Sequence, residues 1–171
     1  MIVKTNHQLR VEQFMQVGGQ AVPYVPGIPS ENVRLLRARL ILEEALETIE
    51  AMGIDISLRS AGIGAGGAWP VYFDVCILEI NPHRQPDMVL IADGCGDLSV
   101  VTIGTLSAFG IADDPILKEI DRSNLDKFRN GVIKDEFGKI KKPDDWQPPN
   151  IQGVLDYLAS PIPRSPQLPI E

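Results

Sequence analysis

One segment constrains this chain more than any other. From Met88 to Ala112 the sequence carries only two charges, Asp93 and Asp97, in a run of apolar and small residues. The spacing predicts a helix from about Asp87 to Phe109, stopped by Gly110. The two aspartates fall one turn apart, on a line with Leu90, Val100, Val101, Gly104 and Ala108. The rest of the circumference is apolar or small, so such a helix is expected to be buried nearly all round. Gly94, Gly96 and Gly104 each lose about 1 kcal/mol of helix propensity against alanine, which suggests close packing on a neighbouring backbone. Acids in such surroundings are rare without partners.

A second helix offers what could face them. Ser30 is a plausible N-cap for a helix running to about Met52 and stopped by Gly53, roughly 34 Å long. One stripe, Leu35, Ala38, Leu42, Ala45, Leu46 and Ile49, reads as ordinary core. A second apolar line, Val33, Leu36 and Leu40, continues into Glu43, Glu44 and Glu47, which share one face. Solvation is the ordinary fate of a glutamate run, and for Glu43 it is an even alternative. If the two helices face each other, several carboxylates converge. Two unit charges about 4 Å apart repel by roughly 4 kcal/mol at an intermediate dielectric, so a cation must compensate. Oxygen-only ligands favour Mg²⁺, with Mn²⁺ as the substitute, and Mg²⁺ takes its remaining ligands from water and phosphate. That points to phosphoryl chemistry. A di-iron carboxylate bundle wants Glu-x-x-His pairs, and neither His7 nor His83 follows a glutamate at that spacing.

The remaining elements are short. A helix is expected from about Thr5 to Val17, then a proline-rich connector from Ala21 to Pro29. Residues 58–86 read as irregular, with a glycine loop at Gly62 to Gly67 and a strand or hairpin arm within Ala68 to Ile80. The glycines neither follow a strand nor open a helix, so they form no P-loop. A further helix is expected to begin with Asp113 or Asp114 as cap and Pro115 at its first position, and to reach about Phe128. A small hairpin is expected over Val132 to Lys141, turning at residues 135–138, and Asn150 caps a last helix, Ile151 to Leu158.

A chain of 171 residues with 44% apolar and 23% charged composition suits one domain with a real core. We assign residues 1–159 to it and 160–171 to a proline-rich tail. The formal charge of -7 argues against a nucleic-acid partner. Cys76 and Cys95 have no zinc-type spacing and read as reduced thiols of a cytoplasmic protein. The N-terminus lacks a signal h-region, and the longest uncharged run, Leu98 to Ala112, is too short for a spanning helix, so no membrane partner is expected.

The acidic segments also carry a resemblance. Leu42-Glu43-Glu44-Ala45-Leu46-Glu47 resembles the Glu-Glu-x-x-Glu motif of the MazG-like all-alpha nucleoside triphosphate pyrophosphatases. Asp93-Gly94-Cys95-Gly96-Asp97-Leu98 is similar to their second acidic motif. Val101 to Thr105, Ser123 to Lys127 and Gly138 to Pro143, followed by Trp146, Pro148, Pro149 and Ile151, resemble the phosphoribosyl-ATP pyrophosphohydrolase-like branch. The likeness covers about Ser30 to Leu155. It implies an all-α helical bundle, here with a small β-hairpin excursion. It implies Mg²⁺-dependent cleavage of a nucleoside triphosphate between the α- and β-phosphates, giving the monophosphate and pyrophosphate. The metal ligands would come from Glu43, Glu44, Glu47, Asp93 and Asp97, with Glu44 or Glu47 as the catalytic base. Asn124, Lys127 and Lys142 would bind substrate, with Lys139 and Lys141 beside them, and the assembly would be a homodimer or homotetramer. Trp146 is a candidate for base stacking or for a packing anchor. Two features depart from the pattern: Gly94 stands where Glu-x-x-Asp would begin, leaving Asp93 one residue earlier, and residues 58–86 lengthen the gap between motifs. Two alternatives remain open: phosphoribosyl-ATP hydrolysis in histidine biosynthesis, and a non-catalytic nucleotide-binding or oligomerisation module on the same fold.

Overall fold

The computed structural model describes residues 3–60, 73–135 and 140–160. The glycine stretch 62–67, the turn at 136–138, Lys139 and the tail beyond 160 lie outside the described residues. The described chain is mostly helical: α1 (Asn6–Val17), α2 (Glu31–Ala51), β1 (Ile54–Ser60), β2 (Phe73–Ile80), α3 (Met88–Ala108), α4 (Asp113–Asp126) and α5 (Ile151–Ala159). It divides into two compact units, Met1–Ser30 with Ile103–Glu171, and Glu31–Thr102, with the boundary inside α3.

The unit Glu31–Thr102 holds α2, the two strands and most of α3. β1 and β2 pair antiparallel, Ile54 opposite Ile80 and Ile56 opposite Leu78, with an irregularity between Arg59 and Ser60. β1 corrects the expectation of an irregular 58–86: Ile54 and Ile56 are half-buried and alternate with exposed Asp55 and Ser57, the period-2 pattern of a strand with one covered face. The chain turns back after β2. Asn81 N donates to Gly53 O at 2.9 Å and Asp87 N to Ala51 O at 2.9 Å, which docks the start of α3 against the end of α2. Asp87 caps α3 through its side chain, accepting from Val89 N at 2.9 Å and Leu90 N at 3.2 Å.

The close packing expected of the α3 glycines holds at Gly94. A Cβ there would run into Thr48 Oγ1 and would sit 3.3 Å from Thr48 Cα, so only hydrogen lets the two helices meet. Gly96 faces open space. Burial all round does not hold in the single chain: Met88 is 79% exposed and Val89 76%. The α2 stripe read as core is exposed too, Leu35 at 51% and Leu42 at 58%, and the buried side chains of α2 are Arg37 and Thr48. By length and composition α3 is also apolar enough to cross a membrane, against the expectation from Leu98 to Ala112 alone.

The other unit is organised by a buried polar network. Thr5 caps α1, its Oγ1 accepting from Gln8 N at 3.0 Å. Gln8, fully buried, donates to Ser107 Oγ at 3.0 Å and Ile111 O at 2.8 Å, and accepts from Asp113 N at 2.8 Å. Asp113 in turn accepts from Thr5 N at 2.9 Å and from Thr5 Oγ1. Around it pack Val11, Met15, Ala108, Ala112, Ile116 and Leu158. The cap expected at Asp113 or Asp114 is therefore Ala112, which has no side-chain cap bond, and Asp113 is inside α4, committed to Thr5. Gly110 adopts φ 70, and a Cβ there would strike Val25 O, so glycine alone lets the connector lie on the end of α3. Of the expected hairpin near 132–141, the described residues show an antiparallel bridge, Lys134 to Ile140, with Lys141 N donating to Ile133 O at 2.8 Å. Asn150 caps α5 as expected, accepting from Gly153 N at 3.0 Å, and its own N–H donates to Glu119 Oε1 at 2.7 Å.

Two predictions follow from these contacts. Gly94→Ala gains helix propensity but overpacks Thr48, and should lower stability by about 1–3 kcal/mol in denaturant melts. Adding Thr48→Ala should recover part of that loss, a non-additivity that a double-mutant cycle measures. The Glu119 carboxyl is held down at about 2 by its hydrogen bond from Arg122 and that from the Asn150 backbone. Its contribution is present above the ordinary carboxylate value and is lost as pH falls through about 2. Melting temperature followed from pH 7 downward should therefore fall less steeply below about 4.3 in Glu119→Gln than in the unsubstituted chain.

Candidate active site

The Thr48–Gly94 contact sets what faces what in its unit. Thr48 is one turn beyond Glu44 on α2 and bonds back to it, Oγ1 donating to Glu44 O at 2.6 Å. Asp93 precedes Gly94 on α3, and Asp97 follows one turn on. With the end of α2 docked on the start of α3, the helices run antiparallel and their acids meet. A cavity of 560 Å³ opens between them, lined by Glu44, Glu47, Asp93 and Asp97, and further along by Glu50, Asp87 and Arg84. Glu43 is exposed and does not line it.

The electrostatics follow from that crowding. Desolvation first, then repulsion from Asp97, Glu47, Glu43 and Asp93, holds the Glu44 carboxyl above its ordinary value. The other four sequence-selected acids thus all act on Glu44. Among the described residues, the ion pairs of this unit join Arg34 to Glu31 and Arg84 to Glu50 and Asp55, and none involves these five. Nor, among the described residues, do any three acids, histidines or cysteines stand close enough to grip one metal ion as placed. The chemistry of the donor set nonetheless fits Mg²⁺: carboxylate oxygens only, in mutual repulsion, beside a cavity with room for phosphate and water.

Arg84 is the residue that the sequence alone did not single out. It sits in the turn between β2 and α3, with Nη1 2.7 Å from Glu50 and 3.9 Å from Asp55. Its signal was weak: one arginine in a segment read as irregular.

The other sequence-selected residues lie in the unit with α4 and α5 and form a cluster of their own. Lys127 Nζ donates to Asn124 Oδ1 at 2.7 Å. Trp146 Nε1 donates to Ser123 O at 2.8 Å, and Lys142 Nζ sits 4.0 Å from the ring centroid, Lys127 Nζ 5.6 Å. Trp146 is therefore a half-buried packing anchor whose ring already faces an ammonium. Lys127, Lys141 and Lys142 also line a smaller cavity of 270 Å³.

A search of curated proteins finds no match to the chain. A family model, phosphoribosyl-ATP pyrophosphohydrolase, matches residues 11–124, from α1 through both acidic helices to Asn124, leaving Lys127, Lys142 and Trp146 beyond it. With most of its length inside that match, and the acids of both helices brought to one cavity, the chain belongs to the phosphoribosyl-ATP pyrophosphohydrolase family, a group of nucleotide pyrophosphohydrolases within the MazG-like all-alpha superfamily.

Proposed function

We propose that this protein is a Mg²⁺-dependent pyrophosphohydrolase that cleaves a nucleotide triphosphate between its α- and β-phosphates, releasing pyrophosphate. The observation that carries the reading is the convergence of Glu44, Glu47, Asp93 and Asp97 on one cavity. The family match supports phosphoribosyl-ATP as the substrate ahead of ordinary nucleoside or deoxynucleoside triphosphates. Those remain the second reading, favoured by the β1–β2 insertion between the two acidic helices, an addition that would reshape a base pocket.

In this mechanism Glu44, Glu47, Asp93 and Asp97 would hold Mg²⁺, with Glu43, outside the cavity lining, as a further ligand on the resemblance. The ion's chemistry there is to neutralise the triphosphate and make its phosphorus more electrophilic. Glu44 is the better-placed base. Its raised affinity for a proton suits it to take one from the attacking water, and Glu47 is the alternate. The four acids exclude a bare triphosphate, so substrate enters with its charge compensated. For Asn124, Lys127 and Lys142 the proposed role is binding of the substrate's anionic groups, on their charge and the resemblance.

A homodimer or homotetramer is proposed as well. Exposed apolar residues of α2 and α3 such as Leu42, Met88 and Val89 need cover in water. Two carboxylates at mid-length and the tight contact at Gly94 favour a packed helix over a membrane span. A nucleotide substrate and the free, exposed thiol of Cys95 support a cytoplasmic location.

Pyrophosphate release should be measured across phosphoribosyl-ATP and a panel of nucleoside triphosphates. Activity should require Mg²⁺ or Mn²⁺ and vanish in excess chelator. Glu47→Gln should abolish turnover, leave the metal-free melting temperature unchanged or higher because repulsion is relieved, and gain less from Mg²⁺ than the unsubstituted chain. Full turnover in chelator, or normal turnover by the variant, sinks the assignment. Light scattering at micromolar concentration should give at least a dimer; a monomer refutes the proposed assembly.

A further inference from the structure

The acid-lined cavity has a second end. Along α2 it extends from Glu44 to Ala51, about 10 Å at the helical rise. Glu44 and Asp97 stand at one end, and Arg84 at the other, where α2 stops and α3 starts. Among the described lining residues Arg84 is the one cation, against six carboxylates. Its backbone is braced. Arg84 N donates to Asn81 O at 3.2 Å, and Asn81 Nδ2 donates to both carboxylate oxygens of Asp55, at 3.1 and 3.0 Å. Asn81 N is tied to Gly53, and Arg84 O lies 2.7 Å from where a Gly53 Cβ would be. Both ion pairs run through Nη1, and a guanidinium carries five N–H donors in a rigid fork, so further donors remain for a ligand.

We infer that Arg84 binds the terminal phosphates of the substrate, the pair that leaves as pyrophosphate. The inference rests on the pyrophosphohydrolase reading for which bond breaks: a scissile bond at Glu44, Glu47, Asp93 and Asp97 leaves the far end of the cavity for one side of the substrate. A planar fork in an otherwise anionic cavity suits phosphate oxygens rather than a base or sugar. Its pairs with Glu50 and Asp55 hold the side chain at the mouth and give way to a ligand of higher negative charge.

Calorimetry with pyrophosphate in the presence of Mg²⁺ tests this without turnover, on the unsubstituted protein, Arg84→Gln, Arg84→Lys and Glu50→Gln, with adenosine monophosphate as the second probe and melting temperature as the check on folding. Arg84→Gln should weaken pyrophosphate binding by about tenfold or more, the loss of a charged hydrogen bond. Arg84→Lys, which keeps the charge but not the fork, should lose less, and serves if the Gln variant unsettles the turn. Glu50→Gln frees the guanidinium and should keep or tighten pyrophosphate binding. Adenosine monophosphate should bind alike to all four. The inference is overturned if the unsubstituted protein binds no pyrophosphate, if Arg84→Gln binds it unchanged, if the monophosphate is the ligand that weakens, or if Glu50→Gln loses pyrophosphate as fully as Arg84→Gln, which makes Arg84 a brace. A protein that binds pyrophosphate through Arg84 yet releases none from any triphosphate refutes the proposed reaction and leaves this site standing.

Discussion

The contact between Thr48 and Gly94 is the constraint on which the acidic cavity depends. It brings α2 and α3 together at a point where a single methyl group would drive them apart. It also fixes which acids meet, because Glu44 lies one turn before Thr48 and Asp93 and Asp97 flank Gly94. A glycine mid-helix is unfavourable by about 1 kcal/mol, and a Glu44 carboxylate repelled by four others adds to that. The sequence tolerates both together because they belong to one feature. The helices must approach closely for carboxylates from two elements to act on the same cation, and close approach requires the missing side chain.

Much of this was legible in the sequence, and the failures have physical reasons. The convergence of Glu44 and Glu47 with Asp93 and Asp97, and the tight packing at Gly94, were readable because helical period, charge and glycine position point the same way; Glu43, read on the same face, lies outside the cavity lining. β1 is harder to read: Ile54, Ile56 and Leu58 alternate with Asp55, Ser57 and Arg59, but the run is short and follows Gly53, which also marks the end of α2. Asp113 and Asp114 both read as N-cap candidates because they precede Pro115 at the helix start. The Asp113 carboxylate instead takes both hydrogen bonds from Thr5, more than a hundred residues away in sequence, which no local pattern reveals. The apolar stripe of α2 was read as core because periodicity reports that a face needs cover, not whether the cover comes from the same chain. Arg84 was invisible for a related reason: its place beside the acids is made by the turn that docks α3 onto α2.

The two units solve the burial of polar groups in opposite ways. In the one around Gln8, the polar atoms named above pair with one another: Thr5, Gln8, Ser107, the Ile111 carbonyl and Asp113 form a closed set across α1, the end of α3 and α4. Such a network rigidifies what it joins. In the other, no cation among the described residues pairs with Glu44, Glu47, Asp93 or Asp97. Where one unit satisfies its polar groups internally, the other keeps its charges for something outside the chain.

That imbalance links stability to chemistry through Glu44. Its carboxyl binds a proton more tightly in the folded chain than in an unfolded one, so the associated stability is full below the ordinary carboxylate value and is lost as pH rises through the raised folded value. At neutral pH the metal-free protein therefore carries a penalty, and that penalty is the driving force for taking up positive charge. A bound cation relieves it, a proton relieves it, and a salt bridge from within would have relieved it permanently. Arg84 stops short of doing so. It stands in the same cavity but is paired with Glu50 and Asp55, and among the described residues no cation pairs with Glu44, Glu47, Asp93 or Asp97. An arginine reaching Glu44 would stabilise the fold and lower the affinity of that carboxyl for a proton, which is the property a base requires. Among the described lining residues the one cation is held by Glu50 and Asp55, about two turns of helix from Glu44, and this is what keeps the site both hungry for metal and able to accept a proton.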